Sequence, residues 1–295
     1  MSVALATKFA PYTDEIFAAE SKLSLLTNTD FDWVGAHTVK VYKVTTVSMN
    51  NYARNIYGTE DPAYTAISRY GNLYDLSAST EEMLLSQDRS FIFNVDKMDT
   101  DETAGQVEAA SALARQIRNV VIPEVDTYVY DVMVDDAGKT ADPDELTANN
   151  IYGKILAGSE YMDDKEVPET GRALICPPST YTLLKQAVAF DHTDVGAELR
   201  AKGVVGILDG MTVIKVPASR LPQNVGFIIA HPSATVAPVK LEDYSVHADT
   251  VLSSGDIVTG RIVYDAFVLD NKANGIYVQP ISSGGGSSGS SGSGT

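Results

Sequence analysis

Residues 99–134 read DTDETAGQVEAASALARQIRNVVIPEVDTYVYDVMV, and their spacing decides the fold. Apolar residues recur at Val107, Ala110, Leu113, Ala114, Ile117, Val121, Val125, Tyr128, Val129 and Val132. Steps of three and four lay one stripe along a helix. Asp99 is a natural N-cap, and Glu102 stands three residues on as the capping-box partner. The early acids suit the positive end of the helix dipole. Pro123 lacks a backbone donor, so it predicts a bend near Asn119 rather than an end, because the stripe continues beyond it. About 33 helical residues would span roughly 50 Å, longer than a compact domain of this size needs. Such a rod is a spine on which other elements hang.

Outward from that spine, the preceding segments read as strands. Thr38–Val47 (TVKVYKVTTV) is dense in β-branched residues, and Leu76–Asp96 is a second β-rich region. Within the latter, Phe91, Phe93 and Val95 alternate onto one face. Between the two regions, Ser48–Asp75 has few aliphatics but carries Tyr52, Tyr57, Tyr64, Tyr70 and Tyr74. Loops this long without a core of their own are disordered or laid on a partner. Disorder goes with few aromatics, whereas tyrosine is enriched at interfaces, so a protruding loop that packs on another subunit is the expectation. Lys43, Arg54 and Arg69 on this arm could meet acids of a neighbour, or belong to a solvated face. Residues 1–30 lack a sustained period and read as a partly extended arm, with room for a short helix through Ile16, Leu23 and Leu26.

Beyond the spine, Thr147 is a candidate cap for a helix carrying Ile151, Ile155 and Leu156. Ala173–Cys176 is a short buried strand stopped by Pro177-Pro178, and Ser179 a candidate cap for a helix with Tyr181, Leu184 and Val188 inward. Asp209-Gly210 joins VVGIL to MTVIKV as a two-residue hairpin. Val225–Ala230 is an apolar strand. Gly260–Asp270 and Gly275–Gln279 read as two strands paired through a turn. The end, SSGGGSSGSSGSGT, has no core-forming capacity and suits an engineered linker or a natural tail alike.

Composition narrows the function. The chain has 295 residues, 44% of them hydrophobic, enough for one large or two smaller cores. Its single cysteine, Cys176, excludes an internal disulfide and reads as a buried apolar residue. No apolar run reaches the ~20 residues of a membrane span, and the N-terminus does not read as a secretory signal. A formal net charge of −17 argues against wrapping or sequence-reading of nucleic acid.

No constellation supports catalysis. Asp96, Asp99, Asp101 and Glu102 do not match a calcium loop, and helix capping explains them. Asp191, His192 and Asp194 lack a second histidine at ligand spacing, so they read as a solvated turn. Gly203, Gly206 and Gly210 fit neither phosphate-loop pattern and read as turn glycines. No nucleophile elbow occurs, and no nucleophile stands with a base and an orienting acid. Enzyme activity stays open at this point, but no residue argues for it, nor for a cofactor or a metal.

The order of arm, two-stranded loop, spine and mixed sheet is spelled by LLSQDRSFIFNVDKMDTDET, VIPEVDTYVYD, VPETGRALICPPSTYTLL, GILDGMTVIKVP and GRIVYDAFVLDNKANGIYV. Together these segments resemble a major capsid protein of a tailed double-stranded DNA bacteriophage, of the Hong Kong-97 fold. The resemblance implies an α+β chain: N-arm 1–30, E-loop and flanking strands 31–95, spine helix of a peripheral domain 96–139, a mixed axial domain 140–255, return strands 256–281 and a flexible tail 282–295. It implies hexamers and pentamers closing an icosahedral virion capsid, assembled in the host cytoplasm, around DNA touched without sequence specificity. The implied interface residues are Lys43, Tyr52, Arg54, Tyr57, Tyr64, Arg69, Tyr70 and Tyr74. Portal and decoration proteins are the implied partners, and no membrane is. No coiled-coil scaffolding segment precedes the arm, so a scaffold would be a separate protein or absent. The cross-linking lysine and asparagine of some relatives find no match. An encapsulin-like nanocompartment shell, another phage structural protein such as a tail-tube subunit, and an enzyme with a solitary acid–histidine site around His192 are the alternatives.

Overall fold

The computed structural model describes residues 20–28, 38–44, 46–52, 69–70, 78–97, 109–187, 204–247 and 254–282. In chain order these form strands β1 (Thr38–Val44), β2 (Ala78–Leu84) and β3 (Gln87–Asp96), then helices α1 (Ala109–Gln116) and α2 (Ile122–Asp135). There follow β4 (Lys139–Thr140), α3 (Ile151–Asp164), β5 (Ala173–Cys176), α4 (Pro178–Ala187), β6 (Val204–Leu208) and β7 (Met211–Lys215). The rest is β8 (Val225–Ala230), β9 (Thr235–Val236), β10 (Val239–His247), β11 (Gly255–Tyr264), β12 (Phe267–Val268) and β13 (Ile276–Pro280). The chain divides into two compact units, 35–85 and the remainder.

Pro123 shapes the spine. Its ring and missing N–H conflict with the carbonyl of residue 119. The helix answers with a π-turn over Ile117–Val121, in which the Ile122 N–H reaches back to the Ile117 carbonyl. Both flanking residues keep helical dihedrals, so α1, the π-turn and α2 form one helical run of about 40 Å. The irregularity is centred on Asn119, where the sequence put a bend. The Asp99–Glu102 capping box lies outside the described residues.

One stripe was expected, but the helix buries two. Val121, Val125 and Tyr128 meet Ile262, Tyr264 and Phe91 of a three-stranded antiparallel sheet ordered β10-β11-β3. Val129, Tyr130 and Met133 join the core on one face of a six-stranded sheet ordered β4-β13-β8-β5-β7-β6. A helix held between two sheets needs two apolar faces, which is why Ala110 and Ala114, assigned inward, are exposed, while Tyr130 and Met133 are fully buried.

The six-stranded sheet is covered on both sides. Ile175, Ile214, Ile228, Ala230, Ile276 and Val278 face α2, and Leu174, Cys176, Val213, Phe227, Ile229 and Tyr277 face α3 and α4. That alternation is the period of two in a sheet buried on both faces. Asp209 and Gly210 take φ of 51° and 74°, a pair of positive values that only a type I′ hairpin needs, and join β6 to β7 as read from sequence. In the three-stranded sheet, Gly260 lies opposite both Phe91 and Tyr244, whose rings stack 6.1 Å apart. A Cβ there would sit 2.3 Å from the Phe91 ring, so the glycine is what lets the aromatics close over β11.

Four readings need correction. Gly260–Asp270 and Gly275–Gln279 do not pair: β11 pairs with β10 and β3, and β13 with β8 and β4. Asp265 ends β11 by accepting hydrogen bonds from Ser86 N (2.6 Å), Tyr128 Oη (2.7 Å) and Ala266 N (2.8 Å), and a 3-10 turn over Asp270–Gly275 delivers β13 to the other sheet. The N-cap of α3 is Asn150 rather than Thr147, and it makes no side-chain cap hydrogen bond: its Oδ1 accepts the Thr147 N–H from the preceding turn. The helix after Cys176 starts at Pro178, whose ring suits a first turn, so Ser179 lies inside it. Gly206 lies within β6 at a register shift rather than in a turn.

The end of the arm is anchored. Residues 20–28 contain one 3-10 turn (Leu23–Leu25), Leu26 enters the main core, and Asn28 N donates to the Thr235 carbonyl at 2.7 Å. Ser21 Oγ donates to Asp126 Oδ1 at 2.6 Å, and Arg220 Nη1 pairs with Asp126 Oδ2 at 2.7 Å. Asp126 and Arg220 are buried, and desolvation holds the Asp126 carboxyl above its ordinary range despite these partners.

Gly153 is the reverse of a packed glycine: it lies inside α3 with no atom within 4 Å of where a Cβ would stand. Gly153→Ala is therefore expected to stabilise the protomer by about 0.4–1 kcal/mol, read as a raised thermal midpoint.

Candidate assembly interface

The unit 35–85 is built on a hairpin-like pair. β1 and β2 run antiparallel with Thr38 opposite Leu84 and Val44 opposite Ala78. Lys40 pairs with Glu82 directly across the ladder, and Lys43 with Glu81 at 3.1 Å. The Lys43 ammonium thus meets an acid of its own unit, the partner that the sequence left open.

Beyond β1 the chain turns apolar and exposed. Val47, Met49 and Tyr52 stand in water, and so does Tyr70 on the returning side. Tyr52 and Tyr70 meet edge to face with centroids 5.1 Å apart, and Asn50 Nδ2 donates to the Tyr70 carbonyl at 3.3 Å. The sequence thus brings two of its five loop tyrosines together at the base of the loop, with exposed Arg69 beside them. Tyr70 is 78% exposed, so this contact leaves most of its ring uncovered. Arg54, Tyr57, Tyr64 and Tyr74 lie outside the described residues.

The other candidates resolve into structure. Cys176 is buried against the α3–α4 side, and burial pushes its thiol up to about 12. It should resist a maleimide in the folded protein and react fully once unfolded, as a mass shift would show. His231 is held by Ser233 Oγ at 2.8 Å and the Thr170 carbonyl at 3.2 Å, and burial lowers its pKa. His247 Nε2 lies 3.3 Å from Thr259 Oγ1. Among the described residues no group of three His, Cys, Asp or Glu side chains could hold a metal, and no helix is long and apolar enough to cross a membrane. Asp191, His192 and Asp194 lie outside the described residues.

A family model described as phage capsid protein matches residues 80–278, from β2 through β13. The chain belongs to the phage capsid protein family. It is a structural protein of the virion shell, built on the Hong Kong-97-like α+β fold. Solved chains from phages share that fold at low identity. One from Mycobacterium phage Che8 is 18% identical with a TM-score of 0.74, over 93% of this chain and 96% of that one. One from the capsid of cyanophage P-SCSP1u is 14% identical, TM-score 0.69, over 94% and 92%. One from the mature capsid of bacteriophage PhiM1 is 13% identical, TM-score 0.65, over 95% and 93%. No curated protein matches the sequence. At such identities burial pattern and topology persist while side chains do not, so the exposed residues of this capsid protein must be read from its own surface.

Proposed function

We propose that the capsid protein is the major shell subunit of a tailed phage, forming hexamers and pentamers that close an icosahedral head around double-stranded DNA. The observation that carries this is the exposed Tyr52–Tyr70 pair on the compact unit 35–85, Tyr70 being 78% exposed. In this reading the loop lies over an adjacent copy, with Arg54, Tyr57, Tyr64, Arg69 and Tyr74 adding contacts and Lys43 bracing its base. Residues 1–30 act as the N-arm, 96–139 and 256–281 as the peripheral domain, and 140–255 as the axial domain. DNA is contained rather than gripped, in keeping with a charge of −17.

A second reading has one observation behind it. A chain of the virus-like particle from Pyrococcus furiosus shares 12% identity and a TM-score of 0.53, over 88% of this chain and 92% of that one. That favours an encapsulin-like shell around protein cargo. Nuclease-protected contents of particles purified from the native source separate the two. Genome-length DNA supports the phage head, and a co-purifying enzyme without DNA overturns it.

A further inference from the structure

The spine and the three-stranded sheet leave a gap between them. It is a cavity of about 410 Å³, bounded by the helical run on one side and by β3 and β11 on the other. Small-molecule sites fall in the range of about 300–1,000 Å³. The π-turn shapes the rim, where Val120 is left exposed. The floor is apolar, made by Phe91, Val121 and Ile262. One wall is charged. Arg89 Nε donates to Glu124 Oε1 at 2.7 Å, which leaves Oε2 to accept from a ligand. Asp88, on the same wall, is held by Arg261 through hydrogen bonds of 2.9 and 2.6 Å.

Tyr264 lines this cavity and is only 2% exposed, yet no described residue hydrogen-bonds its hydroxyl. Its neighbour Tyr128, edge to face at 5.6 Å, gives its own hydroxyl proton to Asp265. A buried hydroxyl without a partner is costly, so its place in the fold calls for one. Among the charges acting on that hydroxyl, Glu124 and Arg89 come first, and both line the cavity. Burial, with the Glu124 charge, raises the Tyr264 pKa, which keeps the proton in place as a donor.

We infer that this cavity binds a small, uncharged planar amide, an aromatic ring carrying a carboxamide or lactam. The ring lies on the apolar floor. The amide oxygen accepts from the Tyr264 O–H, and the amide N–H donates to Glu124 Oε2. The ligand is uncharged because both acids of the wall already have a cation, and a further charge would be buried unpaired. The inference stands apart from the shell reading and survives its failure.

The test is calorimetric titration of the full chain with naphthamide, and with naphthoate as the charged counterpart. Saturable one-to-one binding of naphthamide is expected, with naphthoate weaker by about tenfold or more. Tyr264→Phe keeps the ring and removes a hydroxyl that no described residue holds, so circular dichroism and the thermal midpoint should match the unsubstituted chain. Its affinity for naphthamide should fall about tenfold. Nuclear Overhauser contacts from the naphthamide ring to the Val121 and Ile262 methyl groups should place the ligand on the floor. No saturable binding of naphthamide, equal affinity in Tyr264→Phe, tighter binding of naphthoate, or ring contacts elsewhere would each overturn the inference.

Discussion

Arg220→Met is expected to destabilise the protomer by about 3–5 kcal/mol. The guanidinium is the cationic partner of Asp126, and both side chains are almost wholly out of water. Methionine fills similar space but leaves the carboxylate with the Ser21 hydroxyl and the Lys22 charge in place of its buried cation. Burial already raises the Asp126 carboxyl, and loss of the cation pushes it further. The folded variant then takes up a proton that the unfolded chain releases. A carboxyl raised in the folded state contributes stability at low pH and loses it as pH rises through the folded value. The deficit should therefore shrink as pH is lowered from neutrality, because protonation removes the unpaired charge. Urea unfolding at neutral and at mildly acidic pH checks the sign. Adding Asp126→Leu should return much of the loss, since an apolar pair needs no counter-ion. The same change should loosen the arm, because Ser21 loses its acceptor and Arg220 no longer reaches the Glu20 carbonyl.

The second large effect is on assembly, not folding. Tyr52→Ser with Tyr70→Ser removes two exposed rings that meet edge to face, with the Tyr70 carbonyl held by Asn50. The protomer should lose about 1 kcal/mol or less. Buried aromatic anchors at interfaces are worth about 2 kcal/mol or more each, so the pair should raise the concentration needed for assembly roughly a thousandfold. Light scattering against concentration reads this directly. Normal assembly with both rings gone would show that the loop is not a subunit contact.

How much was legible follows from what each signal measures. Ala173–Cys176, the Asp209-Gly210 hairpin and Val225–Ala230 were readable because composition, turn chemistry and burial agree locally. The spine was readable as a helix, yet its division into two faces was not, because a second sheet contributes the other set of partners. The misplaced pairing of β11 with β13 has the same origin: nearness in sequence suggested a hairpin, and a buried carboxylate at Asp265 overruled it. The partnership of Asp126 with Arg220 spans 94 residues and leaves no periodic trace. The loop tyrosines stand out by their number in a segment poor in aliphatics, which is what makes them candidates for a subunit contact.

Self-closure of one kind of chain is read most directly by negative-stain electron microscopy of the purified, concentrated protein. Spherical shells of uniform diameter, studded with rings of six and five, are the expected image. A field of dispersed single chains that persists across salt and pH, with no ring or shell at any concentration, would contradict it.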